Sequence, residues 1–132
     1  MELTDKVVVI TGGGNGIGAA MARRFAQERA AAIVVTDLDG DAAAAVADEI
    51  GGRGMAVDVA DEAQVRALVA SAKADHGRID LFCSNAGVIV RAEEDASPQD
   101  WQRHWDVNVM AHVHAARAVL PLTPEDVYAH GL

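Results

Sequence analysis

Eight residues, Thr11-Gly12-Gly13-Gly14-Asn15-Gly16-Ile17-Gly18, have the types and spacing to hold an anion. Glycine lets the chain turn sharply, and without a Cβ it lets a phosphate approach the backbone. An apolar, β-branched run, Val7 to Ile10, precedes them, and Ala19 to Arg29, rich in helix formers, follows. The local reading is strand, glycine turn, helix. A helix starting near Gly16 aims its free N–H groups and the positive end of its dipole at the turn. The anion that most often fits such a site is a dinucleotide pyrophosphate. A plain strand-to-helix turn that binds nothing uses the same glycines. Asp37 favours the first reading. It closes the next apolar run, 19 positions after Gly18, where a carboxylate can take the ribose hydroxyls of an adenosine.

The elements that must position these groups alternate in type. Strands are predicted at Lys6 to Thr11, Ala32 to Thr36, Met55 to Val57 and Ile79 to Ser84. The first helix runs from about Gly16 to Arg29, with Ile17, Met21 and Phe25 spaced to face the sheet. Asp41 is placed to cap a second helix ending near Ile50, where Gly51 to Gly54 stop it. Asp61 caps a third, to about His76, with Val65, Leu68 and Val69 as its apolar stripe. Asn85-Ala86-Gly87 follows the fourth strand, and Arg91 to Ala96 is a polar segment with a solvated acidic stretch at Glu93 to Asp95. Ser97-Pro98 then opens one long helix, to about Leu120 before Pro121. Alternating strands and helices of this size imply an α/β fold with a doubly wound parallel sheet.

Composition narrows the function classes. A length of 132 residues suggests one domain with a real core. The net charge of −9 repels nucleic acid and anionic lipid, so neither is expected as a partner. The chain has one cysteine, Cys83, in an apolar run, which reads as a buried, reduced thiol. No signal peptide and no apolar run of membrane-spanning length is evident, and a cytoplasmic protein is the simplest reading. His112 and His114 are two apart on a helix, which speaks against a joint metal site. Trp101 and Trp105 are four apart and are expected in the core or a subunit interface.

Four motifs in order, Thr11-Gly12-x-x-x-Gly16-Ile17-Gly18, Asp58-Val59, Asn85-Ala86-Gly87 and Asn108, resemble those of the short-chain dehydrogenase/reductase family. The resemblance runs from about Lys6 to Leu120. It implies a Rossmann fold that binds NAD(P) and carbonyl–alcohol oxidoreduction. By position, Gly12, Asn15, Gly16, Ile17 and Gly18 should surround the pyrophosphate and its ribose. Asp37 and Leu38 should meet the adenosine ribose, Asp58 and Val59 the adenine, and Asn85, Ala86 and Gly87 the nicotinamide-side ribose. Asp37 would repel a 2′-phosphate, so the resemblance implies NAD over NADP. Asn108 should lie mid-helix and hold an ordered water in the family's proton relay. The plainer alternatives are a buried structural hydrogen bond for Asn108, satisfied strand backbones for Asn85, and turn formation for Asp37 and Asp58.

The departure from the family is as specific as the match. Its general acid is the Tyr of a Tyr-x-x-x-Lys pair, preceded by a Ser. Here Tyr128 has Leu132 four positions on, and no serine or lysine follows Asn108. Leu122 to Val127 looks like a segment many members carry near their C-terminal end. The hypothesis is that the middle of a normal member is missing between Pro121 and Thr123. The domain is then read as 1–121, incomplete, with a tail over 122–132 and a truncated strand order 3-2-1-4. The exposed fourth strand and the unpartnered last helix point to a homo-oligomer. The substrate, if a full active site exists, is a small alcohol or carbonyl compound. The alternative is a catalytically inactive dinucleotide-binding fragment or module. A third reading, a methyltransferase-type domain binding S-adenosylmethionine, leaves Asn85-Ala86-Gly87 and Asn108 unexplained.

Overall fold

A computed structural model describes residues 1–89 and 93–122. The expected tail from 123 onward, with Tyr128, and the start of the polar segment at Arg91 lie outside the described residues. The elements are β1 (Val7–Ile10), α1 (Gly16–Gln27), β2 (Ala32–Asp37), α2 (Gly40–Ile50), β3 (Arg53–Ala56), α3 (Glu62–His76) and β4 (Leu81–Cys83). A 3-10 turn (Glu93–Asp95) precedes α4 (Pro98–Trp105), a π-helical turn (Asp106–Met110) and α5 (Ala111–Val119). The four strands form one parallel sheet in the order β3-β2-β1-β4.

The strand sequences explain the layers. β1 is Val-Val-Val-Ile and is buried throughout, as a parallel strand covered on both faces must be. Its side chains alternate between two cores. Val8 and Ile10, with Ile33 and Val35 of β2, pack against Ala19 and Ala22 of α1 and Ala43, Val46 and Ala47 of α2. Val9 and Val34 join Leu68, Val69 and Ala72 of α3 and Val119 of α5 on the other face. Each fully buried aliphatic side chain contributes about 1.5–3 kcal/mol.

Helix ends are set by the expected residue types, with one correction. Asp61 caps α3 by accepting from the Ala63 N–H, and Ser97 and Asp100 form a reciprocal capping box on α4. α2 is capped by Asp39, not Asp41. Asp39 is extended and its Oδ1 accepts from the N–H groups of Asp41 and Ala42. Gly40 is already helical, so Asp41 falls within the first turn, where its charge suits the dipole.

Five further expectations are revised. β3 starts two residues early, at Arg53, because it is an edge strand whose extent follows pairing with β2 (Val34 to Asp37 beside Arg53 to Ala56) rather than apolarity. β4 is confined to Leu81–Cys83, and Cys83 is half-buried, with burial pushing its thiol up. The long helix is interrupted by the π-helical turn. Ile17 does not face the sheet and is 75% exposed, while Gly18, Ala19 and Ala22 carry the buried face of α1. Small residues there bring the helix axis close to the strands.

Asp80 fastens β4 to the start of β1. Its Oδ2 accepts from the Val7 N–H at 2.8 Å and from Arg78 Nε at 2.7 Å, and its own N–H donates to the Val7 carbonyl at 2.9 Å. Burial pushes its carboxyl up, but the Val7 N–H, Arg78 and Lys6 outweigh that and hold it below its ordinary value. Among the described residues no helix is long and apolar enough to cross a membrane.

Candidate functional site

An open cleft of about 580 Å³ lies along the C-terminal edge of the sheet, where open α/β sheets bind their ligands. Each strand delivers one wall: Gly12 follows β1, Asp37 ends β2, Asp58 follows β3 and Asn85 follows β4. Gly12, Asn15, Ile17, Gly18, Asp37, Leu38, Asp58, Val59, Asn85, Ala86, Gly87 and Asn108 all line it. Gly16 does not; it forms the turn, with φ at +52°. The cleft therefore unites all but one of the residues singled out from the sequence.

The glycine turn is tied to its surroundings on one side. Gly13 N–H donates to the Thr36 carbonyl at 2.8 Å, and Gly14 N–H donates to Asp37 Oδ2 at 3.0 Å. Asp37 Oδ1 accepts from the Asp39 N–H. The carboxylate at the end of β2 is thus oriented by the loop it faces. At Gly18 a Cβ would overlap the Gly12 carbonyl oxygen and lie 2.7 Å from Asn85 Nδ2.

The other side of the turn is left open. α2, α3 and α4 each have a side-chain cap and an acidic residue in the first turn. α1 has neither: Asn15 makes no cap hydrogen bond, and no acid follows it. The first-turn N–H groups of a helix have no intrahelical partner. Here they lie at a cleft instead of under a carboxylate, which suits an anionic ligand.

Asn85 does satisfy backbone, as one sequence alternative held. Its Nδ2 donates to the carbonyls of Thr11 and Gly12, both at 3.2 Å. Thr11 returns the bonds: buried, it donates to the Cys83 carbonyl and its Oγ1 accepts from the N–H groups of Asn85 and Ala86. Asn108 sits in the π-helical turn, a feature frequent at functional sites. Its Oδ1 accepts from the Val88 N–H at 2.9 Å and its Nδ2 donates to the Val88 carbonyl at 2.8 Å. The side chain thereby closes the loop after β4 as a neighbouring strand would.

The cleft also holds residues that sequence reasoning missed: Val57, Val88, Ile89, Arg103 and Val107. The apolar pair after Gly87 was visible in the sequence. Arg103 gave no local signal, because it reaches Asp58 only through the packing of α4. The two histidines face different partners. His112 Nδ1 lies 2.7 Å from Ser84 Oγ, and His114 is buried with Nδ1 3.7 Å from Glu62 Oε2. Trp101 and Trp105 are 62% and 54% exposed, so they do not enter this core.

The family model described as short chain dehydrogenase matches residues 6–127. Oxidoreductase UcpA of Salmonella typhimurium is 40% identical over 126 residues, covering 91% of this chain and 47% of the relative. A 3-ketoacyl-(acyl-carrier-protein) reductase from Brucella melitensis, solved with NADH, superposes with a TM-score of 0.88 at 35% identity, over 97% of this chain and 54% of that one. A short-chain dehydrogenase/reductase from Burkholderia phymatum, solved with NAD, gives a TM-score of 0.86 at 35% identity, over 92% and 45%. The chain thus spans about half the length of the curated relatives it matches.

Proposed function

Because the chain belongs to the short-chain dehydrogenase family, we propose that its cleft binds a nicotinamide adenine dinucleotide, NAD(H) in preference to NADP(H). The chain is then the cofactor-binding part of a cytoplasmic oxidoreductase acting on a small alcohol or carbonyl compound. The uncapped start of α1, opening onto a cleft that Asp37 also lines, carries this reading. The dinucleotide would supply hydride acceptance or donation. The first turn of α1, with Gly12, Asn15, Gly16, Ile17 and Gly18, would hold the pyrophosphate. Asp37 and Leu38 would meet the adenosine ribose, Asp58 and Val59 the base, and Asn85, Ala86 and Gly87 the second ribose. Asn108 acts by fixing Val88. A water ordered in a proton relay would use the second lone pair of its Oδ1.

No serine or lysine follows Asn108 in these 132 residues, and Tyr128 has no lysine four positions on. A polypeptide of this sequence is therefore expected to bind the dinucleotide without turning it over. Titration with NADH, followed by nicotinamide fluorescence, should show saturable binding, and S-adenosylmethionine should not compete. Saturable S-adenosylmethionine binding without NADH binding would overturn the assignment in favour of a methyltransferase-type site.

Self-association is part of the same proposal. Trp101, Trp105 and Val109 present an exposed apolar stripe, and β4 ends the sheet with an unpaired edge among the described residues. Both are surfaces that proteins cover. Light scattering at micromolar concentration should report a dimer or larger species; a clean monomer refutes it.

A further inference from the structure

We propose that Arg103 is a positioning residue for the base end of the cleft, holding the Asp58 carboxylate so that its free oxygen accepts from the amino group of an aminopurine. The inference rests on the dinucleotide reading above. Arg103 is the one cationic side chain among the described residues lining the cleft, against two carboxylates, Asp37 and Asp58. A carboxylate can only accept hydrogen bonds, so it must face a donor and not a phosphate. Asp37 already faces the glycine turn. Asp58 is flanked in the chain by Val57 and Val59, and Leu38 lines the same cleft, apolar side chains against which a flat heterocycle can pack.

Four contacts hold Asp58, one of them the Asp61 N–H donating to its carbonyl at 3.0 Å. The Asp58 N–H donates to Gln64 Oε1 at 2.8 Å. Its Oδ1 accepts from the Ala60 N–H at 3.0 Å and lies 3.8 Å from the Arg103 guanidinium. Both carboxylate contacts fall on Oδ1. Oδ2 has no hydrogen bond among the described residues and is left for a donor. Arg103 is placed by the core: Val107, four residues on, is buried in one cluster with Val59 and Val65. The cation thus comes to Asp58 from α4, across the cleft from the loop after β3.

The competing role is general charge neutralisation in a chain of net charge −9, which would favour any dinucleotide equally. Two ligands separate the roles: NADH, and its reduced hypoxanthine analogue, which carries an oxo group where adenine carries the amine. The full chain should prefer NADH. Arg103→Ala should weaken NADH by about fivefold, the upper range for a half-exposed ion pair, and move the analogue by less than about twofold. That retained binding also shows the variant is folded. Arg103→Lys should keep the preference, because the single contact needs a charge and not a planar fork. In an Asp58→Ala background, Arg103→Ala should change neither ligand. Equal weakening of both ligands, unchanged NADH binding by Arg103→Ala, or an undiminished effect without Asp58 overturns the assignment. Failure of the unsubstituted chain to bind NADH overturns the dinucleotide reading and this inference together.

Discussion

Gly18→Ala is expected to cost the protein about 3 kcal/mol or more and to lower its thermal midpoint by roughly 10 °C. The added methyl would occupy the space of the Gly12 carbonyl oxygen and crowd Gly12 C at 2.8 Å and Asn85 Nδ2 at 2.7 Å. Two of these are backbone atoms, which cannot swing aside as a flexible side chain would. They also belong to the hinge of the site. Gly12 O accepts from Asn85, and Asn85 N–H and Ala86 N–H both donate to Thr11 Oγ1. Relief of the overlap must therefore move α1 away from β1 or break the link between the loops after β1 and β4. Gly16→Ala is the matched control. It lies in the same turn at φ +52°, and among the described residues no atom beyond its chain neighbours and its own helix backbone comes within 4 Å of the place its methyl would take. Its cost is conformational strain alone, about 1–2 kcal/mol. Thermal unfolding of the two variants should rank them clearly. Equal midpoints would mean that glycine at 18 serves conformation and not close packing.

How much of this was legible in the sequence depended on whether a residue's role is local. β1 reads directly, since four β-branched residues buried on both faces need no tertiary information. Asp61, Ser97 and Gly51 read directly as well, because caps and helix stops are decided within a few residues. Ile17 misled because apolar spacing assumes that large side chains make the contact; Gly18, Ala19 and Ala22 make it instead, by letting α1 approach the sheet. β3 was displaced because an edge strand takes its length from its neighbour's hydrogen bonds, and Arg53 is a poor apolar signal. The π-helical turn has no signature in Asp106 to Met110; it coincides with the pairing of Asn108 to Val88 across 20 positions. Arg103 and Asp58 are farther apart still in sequence, so only the docking of α4 reveals them as neighbours.

Asp37→Ala is expected to weaken NADH binding by about 10- to 100-fold, the loss of one or two hydrogen bonds to a charged acceptor. The carboxylate is pre-set for that contact. Oδ2 accepts from Gly14 N–H at 3.0 Å and Oδ1 from Asp39 N–H at 3.1 Å, and each oxygen keeps a second lone pair for a ribose hydroxyl. The same charge repels a 2′-phosphate at that position, so removing it should narrow the preference for NADH over NADPH by about tenfold or more. A structural role alone makes a different prediction. If Asp37 only anchors the glycine turn, the alanine variant should unfold at lower temperature and lose both ligands in the same proportion. Asp37→Asn tests the charge more selectively, because its amide oxygen can still accept from Gly14 N–H, although its amide nitrogen gives up the contact with the exposed Asp39 N–H. It should keep most of the stability and still lose discrimination between the two dinucleotides. Competition titrations with NADH and NADPH on all three proteins, with thermal midpoints beside them, decide between the roles. An unchanged NADH-to-NADPH ratio in both variants would refute Asp37 as the residue that selects NAD.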